Sequence, residues 1–168
     1  WQAAATRPLI ELDSRPGFYG KLSWTMDAPV LVGLFHYDNR GDPEAVNDEL
    51  QWGWRTRFTT LSGRVDLTPR TRILAQALTG TTAMGWEEPG HWPVETRYRS
   101  AYVRATHEVG PLALSGRLDW FDTRERGSFM DPAESEEGWA ASASARLHVS
   151  DAASLLLEAP HVDSERGV

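Results

Sequence analysis

The stretch that decides the fold spans residues 50–84 and reads LQWGWRTRFTTLSGRVDLTPRTRILAQALTGTTAM. In its first half, Trp and Phe occupy even positions whereas Arg55 and Arg57 occupy odd ones, which predicts a strand with an apolar face and a cationic face. The alternation breaks at residues 68–71 and then resumes, as in two strands joined by a tight turn. Both arms exceed the roughly 5–6 residues usual in soluble proteins and reach the roughly 9–11 that a tilted strand needs to cross a bilayer. We therefore predict a hairpin of a transmembrane β-barrel.

Similar segments continue on both sides of this hairpin and give about eight strands. The connections between them alternate in length, with short turns at 27–29, 68–71, 110–111 and 150–152 and long loops at 38–49, 86–95 and 125–137. Tight turns at one rim and long loops at the other are typical of bacterial outer-membrane barrels. The predicted fold is all-β: an antiparallel up-and-down transmembrane β-barrel over residues 18–168, after an irregular segment, 1–17, with a short strand at 8–12. Both faces of segment 30–37 are apolar, so the sequence does not assign its inward side.

The composition excludes a helical membrane protein but not a barrel. The 168 residues carry a formal net charge of -7 and a mean hydropathy of -0.46, and none of their apolar runs approaches the ~18–20 residues of a transmembrane helix. Strands that alternate apolar and polar residues average to such values. Cysteine is absent, which excludes disulfides and thiolate metal sites. An acidic chain without a basic run also argues against a nucleic-acid partner.

The face opposite the expected lipid-facing side is rich in cations. Its candidate pore-lining residues are Lys21, Arg55, Arg57, Arg104, Arg117 and Arg146. The acids on the same face are fewer, namely Glu108, Asp119 and Glu158. An eight-stranded barrel is filled by its own side chains, and each unpaired cation in a dry interior would cost several kcal/mol. We therefore expect a water-filled lumen in a larger barrel, where the arginines would favour anions, with paired wall residues as the alternative.

Three strand ends share a pattern in which an aromatic residue or His is followed by Asp and, a few residues later, by Arg. We expect these residues to form one belt at the long-loop rim: His36, Asp38, Arg40, Asp122, Arg124, His161, Asp163 and Arg166. The two His and Asp pairs could serve as metal ligands, but no third ligand accompanies them. Solvated polar side chains are therefore the preferred interpretation, and we predict neither a metal nor a cofactor.

These features resemble bacterial outer-membrane porin-like proteins, the general and phosphate-selective porins among them. The resemblance covers residues 18–163 and depends on the long arms around 68–71, the Trp and Tyr at strand ends, and the rim motifs at 36–41 and 161–166. It implies a bacterial outer-membrane channel for passive diffusion of small anionic solutes, with the lipid bilayer, those solutes and other copies of the chain as partners. Family members typically end in a terminal aromatic and are usually longer, whereas this chain ends at residues 166–168, so we expect a portion of such a protein.

Other classes remain open at this point. The eight Trp are also compatible with a soluble β-sandwich carbohydrate-binding module, and a plugged structural outer-membrane barrel would have the same strand pattern. An outer-membrane lipid hydrolase would need a nucleophile beside a base, yet no G-x-S-x-G, P-loop or H-E-x-x-H motif occurs and nothing places a His beside a Ser. We therefore predict that the protein is not an enzyme.

Overall fold

The computed structural model describes residues 12–26, 29–48, 50–87, 89, 92–127, 129–130 and 134–165. They form one sheet of eight antiparallel strands in the order of the chain. The strands are β1 (Phe18–Thr25), β2 (Val30–Asp38), β3 (Arg55–Thr68), β4 (Thr71–Met84), β5 (Val94–Val109), β6 (Leu112–Arg126), β7 (Glu136–Ser150) and β8 (Ala153–Ser164). The prediction of an all-β, up-and-down antiparallel arrangement is confirmed. Of the strand predicted at 8–12, only Leu12 is described, in a bend, and Arg166 lies outside the described residues.

The sheet is open. Each strand pairs with its neighbours in sequence, so β1 and β8 are its two edges and no ladder joins them in the described part of the chain. Strands β3 to β8 have 12 to 16 residues each, which confirms the long arms predicted for the β3–β4 hairpin. The hairpin turns at Pro69, and the Arg70 N–H donates to Thr68 Oγ1 at 3.2 Å. Proline suits this position because its fixed φ matches a tight turn.

The start of the deciding stretch differs from the prediction. Residues 50–54 precede β3, and within them Leu50 has a φ of 58° while Trp52 forms an isolated bridge with Val46. The Trp52 ring also packs edge-on against the Trp86 ring, with centroids 4.6 Å apart. Because a loop contact and not a strand holds Trp52, its position does not determine which face the residues of β3 occupy.

The register of the ladders assigns every strand residue to one of two faces, since cross-strand partners share a face and successive residues alternate. One face, the band face, carries an apolar band. From the short turns, this band reaches as far as a row of residues that are paired across β2 to β7. That row is Leu34, Leu61, Ala77, Ala101, Trp120 and Trp139. The other face, the polar face, carries Lys21, Phe35 and Tyr37 in the region of β1 and β2. The register thus places Val32 and Leu34 of β2 on the band face, a choice that the sequence left open.

The sheet has almost no buried apolar core. Among the described residues the only buried hydrophobic side chain is Ala83, whereas Leu118 is 58% exposed and Leu157 is 77% exposed. The accessible surface is 11971 Å², against about 8,300 Å² for a soluble monomer of this 18.8 kDa mass. In the described part of the chain all strands belong to one layer, so no second sheet covers the band. Among the residues described, no helix is long and apolar enough to span a membrane.

Candidate functional site

The apolar band ends abruptly on the side of the long loops. The next row of paired residues on the band face is polar throughout, and comprises His36, Thr59, Thr79, Arg99, Asp122 and Glu137. Two residues along a strand separate these rows, or about 6.6 Å. A boundary between apolar and polar side chains therefore crosses the band face from β2 to β7.

Beyond this boundary lies a group of six arginines, the arginine belt. It consists of Arg55, Arg57, Arg97, Arg99, Arg124 and Arg126, all on the band face. Arg97 and Arg124 are direct cross-strand partners, a like-charge pairing that destabilises a sheet unless other groups compensate. The belt therefore needs counter-charges close by.

Part of that counter-charge comes from three carboxylates that are buried although the sheet around them is exposed. Asp38, Glu95 and Asp122 have exposed fractions of 7%, 8% and 8%. Their ion pairs are Arg55 with Asp38 at 3.2 Å, Arg97 with Glu95 at 2.7 Å and Arg124 with Asp122 at 2.5 Å, and Arg124 also pairs with Glu137 at 3.0 Å. A buried carboxylate is strongly unfavourable without such a partner, so these pairs stabilise the three buried acids.

Three of the belt arginines line a hollow of about 490 Å³ together with hydroxyl groups. Its lining on the band face comprises Arg57, Arg97, Arg99, His36, Thr59, Thr79 and Thr81. Arg57 Nε donates to Thr81 Oγ1 at 3.2 Å, and His36 Nδ1 lies 2.9 Å from Thr59 Oγ1. The lining contains no carboxylate among the described residues. The hollow is therefore a cationic, hydroxyl-rich site suited to an oxyanion.

A second cationic site lies on the polar face, nearer the short turns. Arg104, Arg117 and Arg146, which we call the polar-face cluster, line a depression of about 260 Å³. The rest of its lining includes Arg72, Glu108, Ser115, Ser142, Ser144, His148 and Glu158. Four arginines thus face two glutamates, and the serine hydroxyls add neutral donors. Outside this lining, Asp66 pairs with Arg72 and Asp119 pairs with Arg117, so the lining arginines without an ion pair among the described residues are Arg104 and Arg146.

The three arginines of the polar-face cluster differ in how they are held. Arg117 donates to both carboxylate oxygens of Asp119 at 2.5 to 2.9 Å, and its guanidinium lies 4.2 Å from the centre of the Tyr102 ring. Arg104 lies directly opposite Arg117 across β5 and β6. Within the described ranges, neither Arg104 nor Arg146 forms an ion pair with a carboxylate. Their charges are available to a solute.

The structure separates the predicted pore-lining residues. Lys21, Arg104, Arg117 and Arg146 lie on the polar face, with Lys21 on the edge strand β1, away from the other three. The prediction that Arg55 and Arg57 share this face is wrong, because both lie on the band face with Leu61 and Leu118. The error came from extending the alternation of Trp52 and Trp54 into β3, although those residues precede the strand.

The predicted rim belt is present in part. His36, Asp38, Asp122 and Arg124 lie on the band face beside the long loops, with His36 and Asp122 in one row. His161 and Asp163 pair with Ala141 and Trp139, so they are in the register rows of Leu118 and Trp120, although they lie at the long-loop end of β8, close to its last residue, Ser164. Register rows run across the strands and do not measure height above a membrane, so one common height stays a prediction. Arg40 is in the loop after β2, where its N–H donates to Asp38 Oδ1 at 2.7 Å. No group of three or more possible metal ligands occurs among the described residues.

Sequence reasoning missed Arg97, Arg99 and Arg126, which complete the belt. The signal was present in the alternation of residues 95–99, where Glu95, Arg97 and Arg99 share the face of Ala101. An apolar face that turns charged at one end of a strand would have pointed to them.

Comparison of the chain with protein-family models, with curated proteins and with solved structures finds no match. What the protein does is therefore inferred from its own residues.

Proposed function

We propose that the sheet is part of the wall of a bacterial outer-membrane β-barrel, with the apolar band against lipid and the polar face toward a water-filled channel. The observation that supports this most is a single-layered sheet whose apolar side chains are exposed along one face. Contiguous apolar patches larger than a few hundred Å² are rare on soluble monomers. In a bilayer the same face has a favourable environment, because hydrocarbon replaces water around it.

The height of the apolar band agrees with this placement. On β6 the band reaches from Leu112 to Trp120, eight residue steps, or about 26 Å along the strand. At a strand tilt of about 40°, this length covers about 20 Å along the membrane normal. The apolar band of outer-membrane barrels has a similar height, about 25 Å. Trp120 and Trp139 lie in the last apolar row, where barrels carry aromatic residues at the interface.

The open edges support a larger barrel. In the described residues β1 and β8 have no outer partner strand, and in hydrocarbon each unpaired backbone group costs several kcal/mol. A β1–β8 ladder or further strands would pair these edges, and we propose further strands, because the polar face then lines a channel. Barrels of about 16–18 strands leave an aqueous channel, whereas eight strands are filled by side chains.

Within such a channel the polar-face cluster would favour anions. Arg104 and Arg146 lack carboxylate partners in the described part of the chain, and fixed charge on a channel wall raises the local concentration of the opposite ion. The proposed function is passive diffusion of small anionic solutes. No covalent chemistry is required of any residue.

The test is conductance, in planar bilayers, of the full-length protein that contains these strands, with two triple variants that remove the same charge from opposite faces. Replacing Arg104, Arg117 and Arg146 with Gln is expected to lower the anion-to-cation permeability ratio by roughly tenfold. Replacing Arg57, Arg97 and Arg99 with Gln is the matched control, because those side chains face away from the channel, and it should leave the ratio within about twofold.

Three other outcomes would contradict the proposal at different levels. An unchanged ratio in the polar-face variant would remove the cluster from selectivity. Vesicle flotation without conductance would identify a plugged barrel. A monodisperse, detergent-free protein whose Trp fluorescence is quenched by oligosaccharides would instead indicate a soluble carbohydrate-binding module.

A further inference from the structure

We propose that the hollow formed by Arg57, Arg97 and Arg99 binds the phosphate of an anionic lipid headgroup. The inference rests on the proposed function, because it needs the apolar band to lie in a bilayer. It assigns a role to the arginine belt, which faces away from the channel.

The hollow lies where lipid headgroups would begin. Arg99 is in the first polar row above the last apolar row, and Arg57 and Arg97 are in the next. Directly below Arg99 is Ala101, which pairs with Ala77 and, through it, is level with Leu61. The Cα atoms of these arginines thus lie about 7–13 Å, along the strands, from the last apolar row, which the proposed function places against acyl chains.

The chemistry of the lining matches a phosphate. A guanidinium presents a planar fork that holds two phosphate oxygens, and hydroxyls of Thr59, Thr79 and Thr81 add neutral donors. The hydrogen bonds of Arg57 to Thr81 and of Arg97 to Glu95 both use Nε. In the part of the chain that the structure describes, the terminal nitrogens of these two arginines have no protein acceptor and remain available.

Two neighbouring arginines of the belt are not part of the site, because acids already bind their terminal nitrogens, whereas Arg97 meets Glu95 through Nε alone. Arg55 pairs with the buried Asp38, and Arg124 pairs with both Asp122 and Glu137. Charge complementarity therefore selects the hollow and not the belt as a whole. The contrast also predicts which substitutions will matter.

A lipid fits better than a free phosphate ion because the hollow continues directly into the apolar band. Leu61, in the row below, is 54% exposed. An amphiphile can place its phosphate among the arginines and its acyl chains on Leu61 and the side chains below it. A free ion would gain only the polar half of these contacts.

The experiment uses the chain in nonionic detergent, titrated with dioleoyl phosphatidic acid, with bound lipid counted by native mass spectrometry. The R57Q/R97Q/R99Q variant is expected to lose about 100-fold in affinity, at roughly fivefold per arginine near an anionic headgroup. The R104Q/R117Q/R146Q variant removes the same charge from the polar face and should lose less than about twofold. R57K/R97K/R99K keeps the charge without the forks and should lie between them.

Each further result decides the proposal. Equal losses of lipid affinity in the two Gln variants would show a general charge effect and would overturn the proposal. Displacement of the lipid by an equal concentration of inorganic phosphate would also overturn it, because it would identify a free-anion site. Heat-modifiable migration on a gel verifies that the variants are folded. If a triple variant does not fold, the single variant R99Q should still weaken lipid binding. Failure of the unmodified chain to float with phosphatidylcholine vesicles would contradict the proposed function itself, whereas flotation with unchanged lipid binding in the variants would contradict the headgroup site alone.

Discussion

The arginine belt and the polar-face cluster contain the same residue type and share strands β5 and β6, but they differ in their surroundings. The belt lies on the band face beside the long loops, and three of its acids, Asp38, Glu95 and Asp122, are buried. The cluster lies on the polar face nearer the short turns, and only Arg117 in it has a close carboxylate partner, Asp119. Register decides this difference, since it determines which side chains meet across each pair of strands.

Solvent exposure of the acids shows how differently the two regions are stabilised. The side chains of Asp38, Glu95 and Asp122 are 10–11% exposed, against 26% for Asp119. Ion pairs screened by water contribute little, whereas removing one partner of a buried pair leaves an uncompensated group. The belt is therefore a structural feature with one open hollow, and the cluster is mainly a charged surface.

The largest effect is expected from a charge placed in the apolar band, which tests the assignment of the two faces. Ala143→Arg, in the row of Gly116 at the middle of the band, should lower the free energy of unfolding in lipid vesicles by about 2–4 kcal/mol, the penalty for arginine near the bilayer midplane. Ala140→Arg puts the same charge on the polar face, opposite Asp119, and should cost less than about 1 kcal/mol. Urea titration followed by Trp fluorescence measures both, and equal losses would contradict the lipid-facing assignment.

A smaller effect should separate the acids of the two regions. Asp38→Ala leaves Arg55 and the Arg40 N–H without their acceptor and should destabilise the protein by about 2 kcal/mol. Asp119→Ala removes the more exposed partner of Arg117 and should cost less than about 1 kcal/mol. The same urea titration compares them, and a larger loss for the Asp119 variant would reverse the proposed order.

Within the polar-face cluster, single substitutions should distinguish the unpaired arginine from the paired one. Arg104→Gln should lower the anion-to-cation permeability ratio by about twofold to threefold, because no carboxylate in the described residues neutralises Arg104. Arg117→Gln should change the ratio less, since Asp119 already offsets its charge. Reversal potentials under a salt gradient measure the two, and a dominant effect of Arg117 would be inconsistent with this ranking.

The smallest effect concerns the boundary row. Trp120 Nε1 donates to Glu137 at 3.1 Å, which links the last apolar row to the first polar one. Trp120→Phe keeps an aromatic ring but loses this bond, and should lower the free energy of unfolding by about 0.5–1 kcal/mol. Trp24→Phe, at the other end of the band, is the control and should shift the urea midpoint less.

The sequence alone determined the existence and direction of the strands. Alternation has a period of two and is a local property, so residues 112–120 specify a strand without reference to the rest of the chain. Proline and glycine mark turns for equally local reasons, which is why the long hairpin around residues 68–71 was predictable. The common face of Arg104, Arg117 and Arg146 followed from the same alternation.

Only the tertiary structure decided which strand residues meet, because many partners, such as Thr71 and His107, are distant in the sequence and a slip of one residue exchanges the two faces. Trp52 illustrates this, since its contacts with Val46 and Trp86 withdraw it from the strand that its alternation suggested. The row at which the apolar band ends, and the hollow around Arg97 and Arg99 beyond it, depend on the register of six strands at once. Local patterns cannot supply that register, because it is set by side-chain packing and turn geometry across the whole sheet.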